Sequence, residues 1–515
     1  MKAYEQLLWL LIFGSIVYLL YMVFFKKYRY LILILGSLIL LGFASKWMMI
    51  FVLLSTLIVY LFARMMSQKN ETLKSKKAEF DKETFKQEKL KTKKVNKRIL
   101  IVALILNLGL LISIKYLNFF DGILNSIFSM CNWDFQIPMF KILMPLGISY
   151  YTLSNTGYLV DVYRGKYKAS KNYLDVLLFT TYFPCLLEGP ISHYDQLLPQ
   201  LKEPQPFRFE HLKKGLLLIL VGLFKKIVIA DRLAILVTQT FDKGVTGPIL
   251  ILGVIAFTFQ LYAEFSGIID MVRGISKMYG IQLERNFEQP FFSSSVGEFW
   301  RRWHISLGTW FREYVFYPLS MSRPINWLCK KLRGKVSNFW ETFLPSCIVL
   351  FVVWSLTGLW HGASFKYLIY GLYYYIVMMI ENIISHYFAH KIKHKTVFHV
   401  LGIIKTFILV NIGMLLFRCN TLTDAGQYIM NIFQPSSTKL TSIFEAKECV
   451  IAVLAILILG VFEWLQTKKF DIYQRIVNLP RGIEYAAYLI LIFGIIIFGA
   501  YGLGYIPPDP IYGGF

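Results

Sequence analysis

Long uninterrupted apolar runs dominate this chain, and period-two alternation is not its organising pattern. Residues 6–25, 30–45, 48–63 and 99–119 form four such runs, and others cover 213–237, 247–270, 340–360, 366–384, 398–417, 449–465 and 484–503. A helix of roughly 20 residues matches the hydrocarbon thickness of a bilayer, so each run predicts a membrane crossing. Two further apolar stretches, 142–160 and 172–192, are interrupted by Pro145, Gly147, Gly157, Pro184, Gly189 and Pro190. They predict bent or re-entrant segments, because irregular backbone at membrane depth must be buried in protein or line a cavity. The pattern predicts an all-α polytopic membrane protein with about eleven transmembrane helices plus re-entrant and interfacial helices.

One stretch follows a different rule. In the segment from Glu298 to Tyr314, Trp300, Trp303, Leu307, Trp310 and Tyr314 fall on one stripe of a helix, while Glu298, Arg301, Arg302 and Arg312 gather opposite. That predicts one continuous amphipathic helix at the membrane interface.

Composition agrees with the apolar pattern. Hydrophobic residues make up 56% of the 515 and charged residues only 17%, with a mean hydropathy of +0.52, too little polar surface for a soluble protein of this length. The net charge of +24 would suit a nucleic-acid binder were it spread over a soluble surface. Instead, residues 64–98 hold 13 Lys and Arg against 5 Asp and Glu. Such a loop stays in the cytoplasm and attracts anionic lipids, which puts the amino terminus outside and predicts no nucleic-acid partner. The six cysteines form no CxxC pair and several adjoin apolar runs, which reads as small buried hydrophobes. The organisation expected is one membrane domain over 1–515: amino-terminal spans (1–63), a basic cytoplasmic loop (64–98), a catalytic core (99–417) and carboxyl-terminal spans with a tail (418–515).

His361 is the strongest single candidate for chemistry. No charged residue lies between Glu341 and Lys366, so the imidazole is set in an uncharged run and within a span, where ionisable groups mark function. A neutral imidazole can take the proton from an attacking hydroxyl as that oxygen adds to an acyl carbonyl. The chain has no G-x-S-x-G nucleophile elbow. Glu264, Ser266, Asp270 and Arg273 lie near the end of another apolar run, and charges there need partners. His386, His390 and His394 have helical spacing, but Lys391, Lys393 and Lys395 beside them would repel a cation, so no metal is expected.

These residues also carry a resemblance. The run Glu298-Phe-Trp-Arg-Arg-Trp-His-Ile-Ser-Leu-Gly-Thr-Trp-Phe-Arg-Glu-Tyr314, with Met144-Pro-Leu-Gly-Ile-Ser-Tyr-Tyr151, Tyr158-Leu-Val-Asp-Val-Tyr-Arg-Gly165, Gly222-Leu-Phe-Lys-Lys-Ile-Val-Ile-Ala-Asp-Arg-Leu233, Glu264-Phe-Ser-Gly-Ile-Ile-Asp270, Asn286-Phe-Glu-Gln-Pro290 and Gly358-Leu-Trp-His-Gly-Ala363, resembles the membrane-bound O-acyltransferases. The branch is the one that contains alginate O-acetylation and teichoic-acid D-alanyl transfer proteins. The likeness covers most of the chain. It departs at Glu264, where the family usually has aspartate, and at Ile268, where an aromatic or glycine is common.

The resemblance implies helices around a central tunnel, with His361 of Trp360-His361-Gly362 as the catalytic histidine and His304 as a second histidine that orients the acyl group. It further implies Trp300, Arg301, Arg302, Trp303, Glu264, Ser266, Asp270 and Trp360 along the substrate path. The arginines have a competing role in anchoring to lipid phosphates. The ending Pro507-Pro-Asp-Pro-Ile-Tyr-Gly-Gly-Phe515 is similar to an aromatic tail of alginate-type relatives, with Pro510 in place of the first aromatic. That makes Tyr512 a candidate acyl relay, against the alternative of a tail packed at the interface.

The activity implied is movement of an acyl group, acetyl by branch, from a cytoplasmic thioester to an exported polysaccharide, in the bacterial cytoplasmic membrane. The donor would be acetyl-CoA or an acyl carrier protein as co-substrate, with no permanently bound cofactor. Partners would be extracytoplasmic acyltransferases or polymer-export proteins. Trp300-Arg-Arg-Trp-His304, and the further spans in 418–515, favour the polysaccharide branch. D-alanyl transfer to teichoic acid is the alternative, and a transporter the alternative from another class.

Overall fold

The computed structural model describes residues 3–140, 144–186, 188–203, 206–388 and 395–501. Tyr512, His390 and His394 lie outside them. The described chain is helical, and its one isolated β-bridge pairs Phe287 with Trp303. Eight helical stretches are long and apolar enough to cross a membrane: 26–78, 82–115, 249–278, 338–361, 365–388, 396–418, 446–467 and 481–498. The first of these contains two helices, Arg29–Ser45 and Met49–Ser75. The expected spans therefore recur with shifted ends, except at 6–25, where the apolar stretch Leu11–Val23 is shorter than a full crossing, and at 213–237. There Phe209–Leu223 passes through π-helical turns over Phe224–Ala230 before continuing as Asp231–Asp242.

By contact density the chain divides into two compact units. One comprises Phe13–Phe207 with Tyr279–Leu283, and the other contains Arg208–Met278 and Glu284 onward.

In the first unit, polar side chains tie the apolar helices together. Ser55 donates to Asn107 Oδ1 at 2.6 Å, Asn155 donates to Ser55 Oγ at 2.8 Å, and Thr180 donates to Asn155 Oδ1 at 2.7 Å. Asn107 Nδ2 donates in turn to Thr156 Oγ1 at 3.2 Å. In an apolar surrounding such bonds hold helices in register, since the hydrophobic effect itself is weak between helices in lipid. The basic loop is helical at both ends. Helix 49–75 runs out into it, and Asp81 caps the return helix Lys82–Lys115 by accepting from the amides of Glu83 and Thr84.

In the second unit, helix Ile249–Met278 is the central element, with nearly three quarters of its apolar window buried. Against it lies Phe209–Leu223, brought close by glycines: a Cβ on Gly222 would meet the carbonyl oxygen of Gly267 at 2.5 Å. Small residues that let backbones approach are how membrane helices gain packing contact.

Candidate functional site

The site is built in the second unit from the 286–311 segment, helix Ile249–Met278 and the helices Asn338–His361, Phe365–Phe388 and Lys395–Arg418.

The expected single amphipathic helix is not what forms. Ser295 caps a short helix, Val296–Arg302, by accepting from the Glu298 amide at 3.1 Å, and Glu298 accepts from the Ser294 amide and hydroxyl at 2.9 and 3.0 Å. The chain then breaks. His304 takes a left-handed conformation, φ +47° and ψ +51°, and a second short helix, Ile305–Phe311, begins after it. A non-glycine residue held there costs on the order of 1–3 kcal/mol, so the surroundings must impose it. Beside the break, Asn286 accepts from the amides of Ile305 and Ser306.

The break divides the aromatic stripe between two neighbours. Trp300 packs on Trp354 and Tyr374, at 5.0 and 4.8 Å between ring centroids, while Trp303 packs on Tyr262 at 5.7 Å and Phe287 at 5.1 Å. Arg301 and Arg312 are exposed, as the stripe predicts. Arg302 is pinned by Glu298 at 2.6 Å and donates to the Gln289 carbonyl.

The structure brings the two predicted histidines to one indole. His304 is 2% exposed and His361 1%. Their rings lie 5.4 and 5.0 Å from the Trp360 ring. Phe265 closes the other side of His304 at 4.8 Å, while Tyr370 and Phe417 flank His361 edge-on at 5.7 and 5.6 Å. Neither ring nitrogen of His304 bonds to another described residue. Burial pushes its pKa down to about 3, so the ring is neutral near pH 7. A buried polar group without a partner is costly, so these nitrogens are suited to a water or a substrate group.

His361 differs from its expected position in one respect. It is the last residue of helix Asn338–His361, after which Gly362 is extended and the chain turns into Phe365–Phe388. The uncharged run continues through that turn, so the middle of the run is no guide to the depth of the ring. Helices 338–361 and 365–388 touch through Gly358, where a Cβ would sit 2.3 Å from the Tyr367 carbonyl oxygen. Gly358→Ala should therefore push the helices apart and displace His361 one turn on, costing about 1–3 kcal/mol by overpacking. Thermal inactivation and acyl-transfer rate measured together check this, and native values of both would contradict it.

Glu264 and Asp270 belong to a buried ionic network rather than to the histidine pair. Lys226, on the π-helical turns, contacts Asp231 at 2.6 Å and Glu264 at 2.9 Å, and Lys225 contacts Asp270 at 2.7 Å. Arg273, one turn along the same helix, contacts Asp270 at 3.2 Å. Tyr262 donates to Glu463 of helix Ala446–Thr467. Ser266 is buried, and its hydroxyl has no partner among the described residues. His386 stacks on Phe339 at 3.9 Å, and the described residues contain no cluster fit for a metal.

Sequence reasoning gave no role to Asn286, Lys225, Lys226 or Glu463. The signal for the lysines was present: two ammonium groups inside an apolar run need acids, and Glu264 and Asp270 sat in another such run.

Residues 168–327 match the profile of MBOAT, the membrane-bound O-acyltransferase family. A protein named "Probable alginate O-acetylase" from Pseudomonas syringae pv. tomato is 33% identical over 385 residues, 73% of this chain and 69% of that protein. The Helicobacter pylori "Peptidoglycan O-acetyltransferase" is 31% identical over 357 residues, 63% of each chain. The Bacillus subtilis "Teichoic acid D-alanyltransferase" is 30% identical over 255 residues, 48% of this chain and 60% of that one. With this extent of similarity joined to the helical architecture, the chain belongs to the membrane-bound O-acyltransferase family and is a polytopic membrane O-acyltransferase.

Proposed function

We propose that this protein transfers an acetyl group from a cytoplasmic thioester, acetyl-CoA or an acyl carrier protein, to hydroxyls of an exported polysaccharide at the bacterial cytoplasmic membrane. His361 is the general base and His304 orients the acyl carbonyl. The observation that carries the reading is the pair of buried imidazoles on one indole, one of them neutral with both nitrogens unused by the described protein. His361 takes the proton from the attacking hydroxyl as its oxygen bonds to the thioester carbonyl carbon. Collapse breaks the carbon–sulfur bond, and the thiolate recovers the proton from the imidazolium. Protons and electrons then balance without a further reactant.

Exposed Arg301 suits the anionic phosphates of the donor, and in this reading the acyl group passes Trp300, Trp303, Ser266 and Trp360 to reach the histidines. The basic 64–98 segment attracts anionic lipids, and extracytoplasmic acyltransferases or export proteins would complete the reaction. In the relayed form of this scheme the hydroxyl that attacks the thioester is that of Tyr512, and a polymer hydroxyl then attacks the phenolic ester, breaking the bond to the tyrosine oxygen and returning its own proton to the released phenolate; acyl-labelled peptide mapping that finds no label on Tyr512 during turnover removes that step. The Bacillus subtilis relative supports a second reading, D-alanyl transfer to teichoic acid.

Inside-out membrane vesicles carrying the protein and acceptor polymer separate the two. Acetyl thioester labelled in the acyl group, supplied from the cytoplasmic face, should yield ester-linked label on polymer inside the vesicle. Transfer of D-alanine but not acetyl from the matching thioesters would overturn the acetyl assignment, and label confined to the outer face would overturn the direction.

A further inference from the structure

We infer that Asn286 is the positioning residue for His304: its side-chain and backbone oxygens, both buried, hold the left-handed turn that aims the imidazole at the acyl-transfer site. The inference rests on the reading of His304 given above.

Asn286 is fully buried, 0% exposed. Its Oδ1 accepts from the Ser306 amide at 3.0 Å and its carbonyl oxygen from the Ile305 amide at 3.0 Å. These are first-turn amides of helix Ile305–Phe311, which have no acceptor within their own helix. On the other side of the histidine, the Glu288 amide donates to the Arg302 carbonyl at 2.9 Å, and Phe287 pairs with Trp303 in a β-bridge. Residues 286–288 thus grip the chain immediately before and immediately after His304. Between these two grips the backbone has no helical path open to it, and the left-handed conformation of His304 is the result.

Asn286 reaches the turn from a distant part of the sequence, in place of a capping residue at the turn itself. Position 304 ordinarily supplies the cap of the following helix, but its side chain makes no cap hydrogen bond. Asn286 performs that function in its stead and leaves the imidazole nitrogens uncommitted. A histidine that capped its own helix could not also present both nitrogens to a substrate.

The test uses the full chain in membranes. Asn286→Ala removes the Oδ1 acceptor, and Asn286→Asp keeps one. Turnover should fall at least about tenfold in Asn286→Ala, since small misplacements at a reacting centre cost up to about 10². KM for the thioester should change less, and Asn286→Asp should recover most of the loss. Hydrogen–deuterium exchange at the imidazole C2 position, resolved by peptide, should speed up severalfold at His304 in Asn286→Ala while His361 keeps its native rate. A changed His361 rate would show general unfolding and overturn a role confined to His304. Native exchange at His304 in Asn286→Ala, or no recovery in Asn286→Asp with native exchange at His361, overturns it as well. If no acyl transfer is found even in the native protein, the functional reading fails, and the exchange rates still decide whether Asn286 holds His304.

Discussion

Lys226→Met should destabilise the folded protein by about 3–5 kcal/mol, the usual consequence of removing one partner from a buried ionic cluster. The ammonium of Lys226 lies within 2.9 Å of carboxylates on Asp231 and Glu264, and all three side chains are buried. Its removal leaves two negative groups in a low-dielectric interior without the cation they share. Lys226→Met combined with Asp231→Asn and Glu264→Gln should restore much of the loss, because replacing the whole set is milder than breaking it. The half-life at elevated temperature in detergent measures this, kinetic persistence being the appropriate scale for a large membrane protein. A Lys226→Met protein as persistent as the native one would contradict the assignment of this cluster to stability.

His361→Gln should lower acyl transfer by about 10² to 10⁴, the contribution of a positioned general base. Glutamine occupies similar space but cannot accept the hydroxyl proton at useful pH, so persistence of the fold should be close to native. His304→Gln should cost turnover also, with the double variant losing less than the product of the two. Two groups that act on one transition state are non-additive in this way. Native rates in His361→Gln would remove the imidazole from the chemistry.

Much of the architecture was legible because bilayer thickness imposes a strong constraint on sequence. Helices 338–361, 396–418 and 446–467 lie where apolar runs place them. His361 was legible for the same reason, as an imidazole in a run with no charged side chain. The break at His304 was not, since the aromatic period continues through it: Trp300, half-buried, and Trp303, buried, pack against different helices. What interrupts the helix is Asn286, and a clamp between distant segments leaves no local trace in propensity. The π-helical turns at 224–230 were hidden likewise. Lys225 and Lys226 gain a role only when their acids on helix 249–278 are seen beside them. The eleven crossings expected become eight stretches of sufficient length and apolarity among the described residues, in part because two expected crossings run together in 26–78 and another is divided by the π-helical turns.

The central claim is acetyl transfer to an exported polymer with His361 as base. Its most direct test is the acetate and D-alanine released by mild base from fractionated envelope polymers of cells carrying the native protein or His361→Gln at equal membrane abundance. The account predicts that acetate falls in one polysaccharide fraction and D-alanine is unchanged; a loss of D-alanine alone, or equal release of both from the two strains, would contradict it.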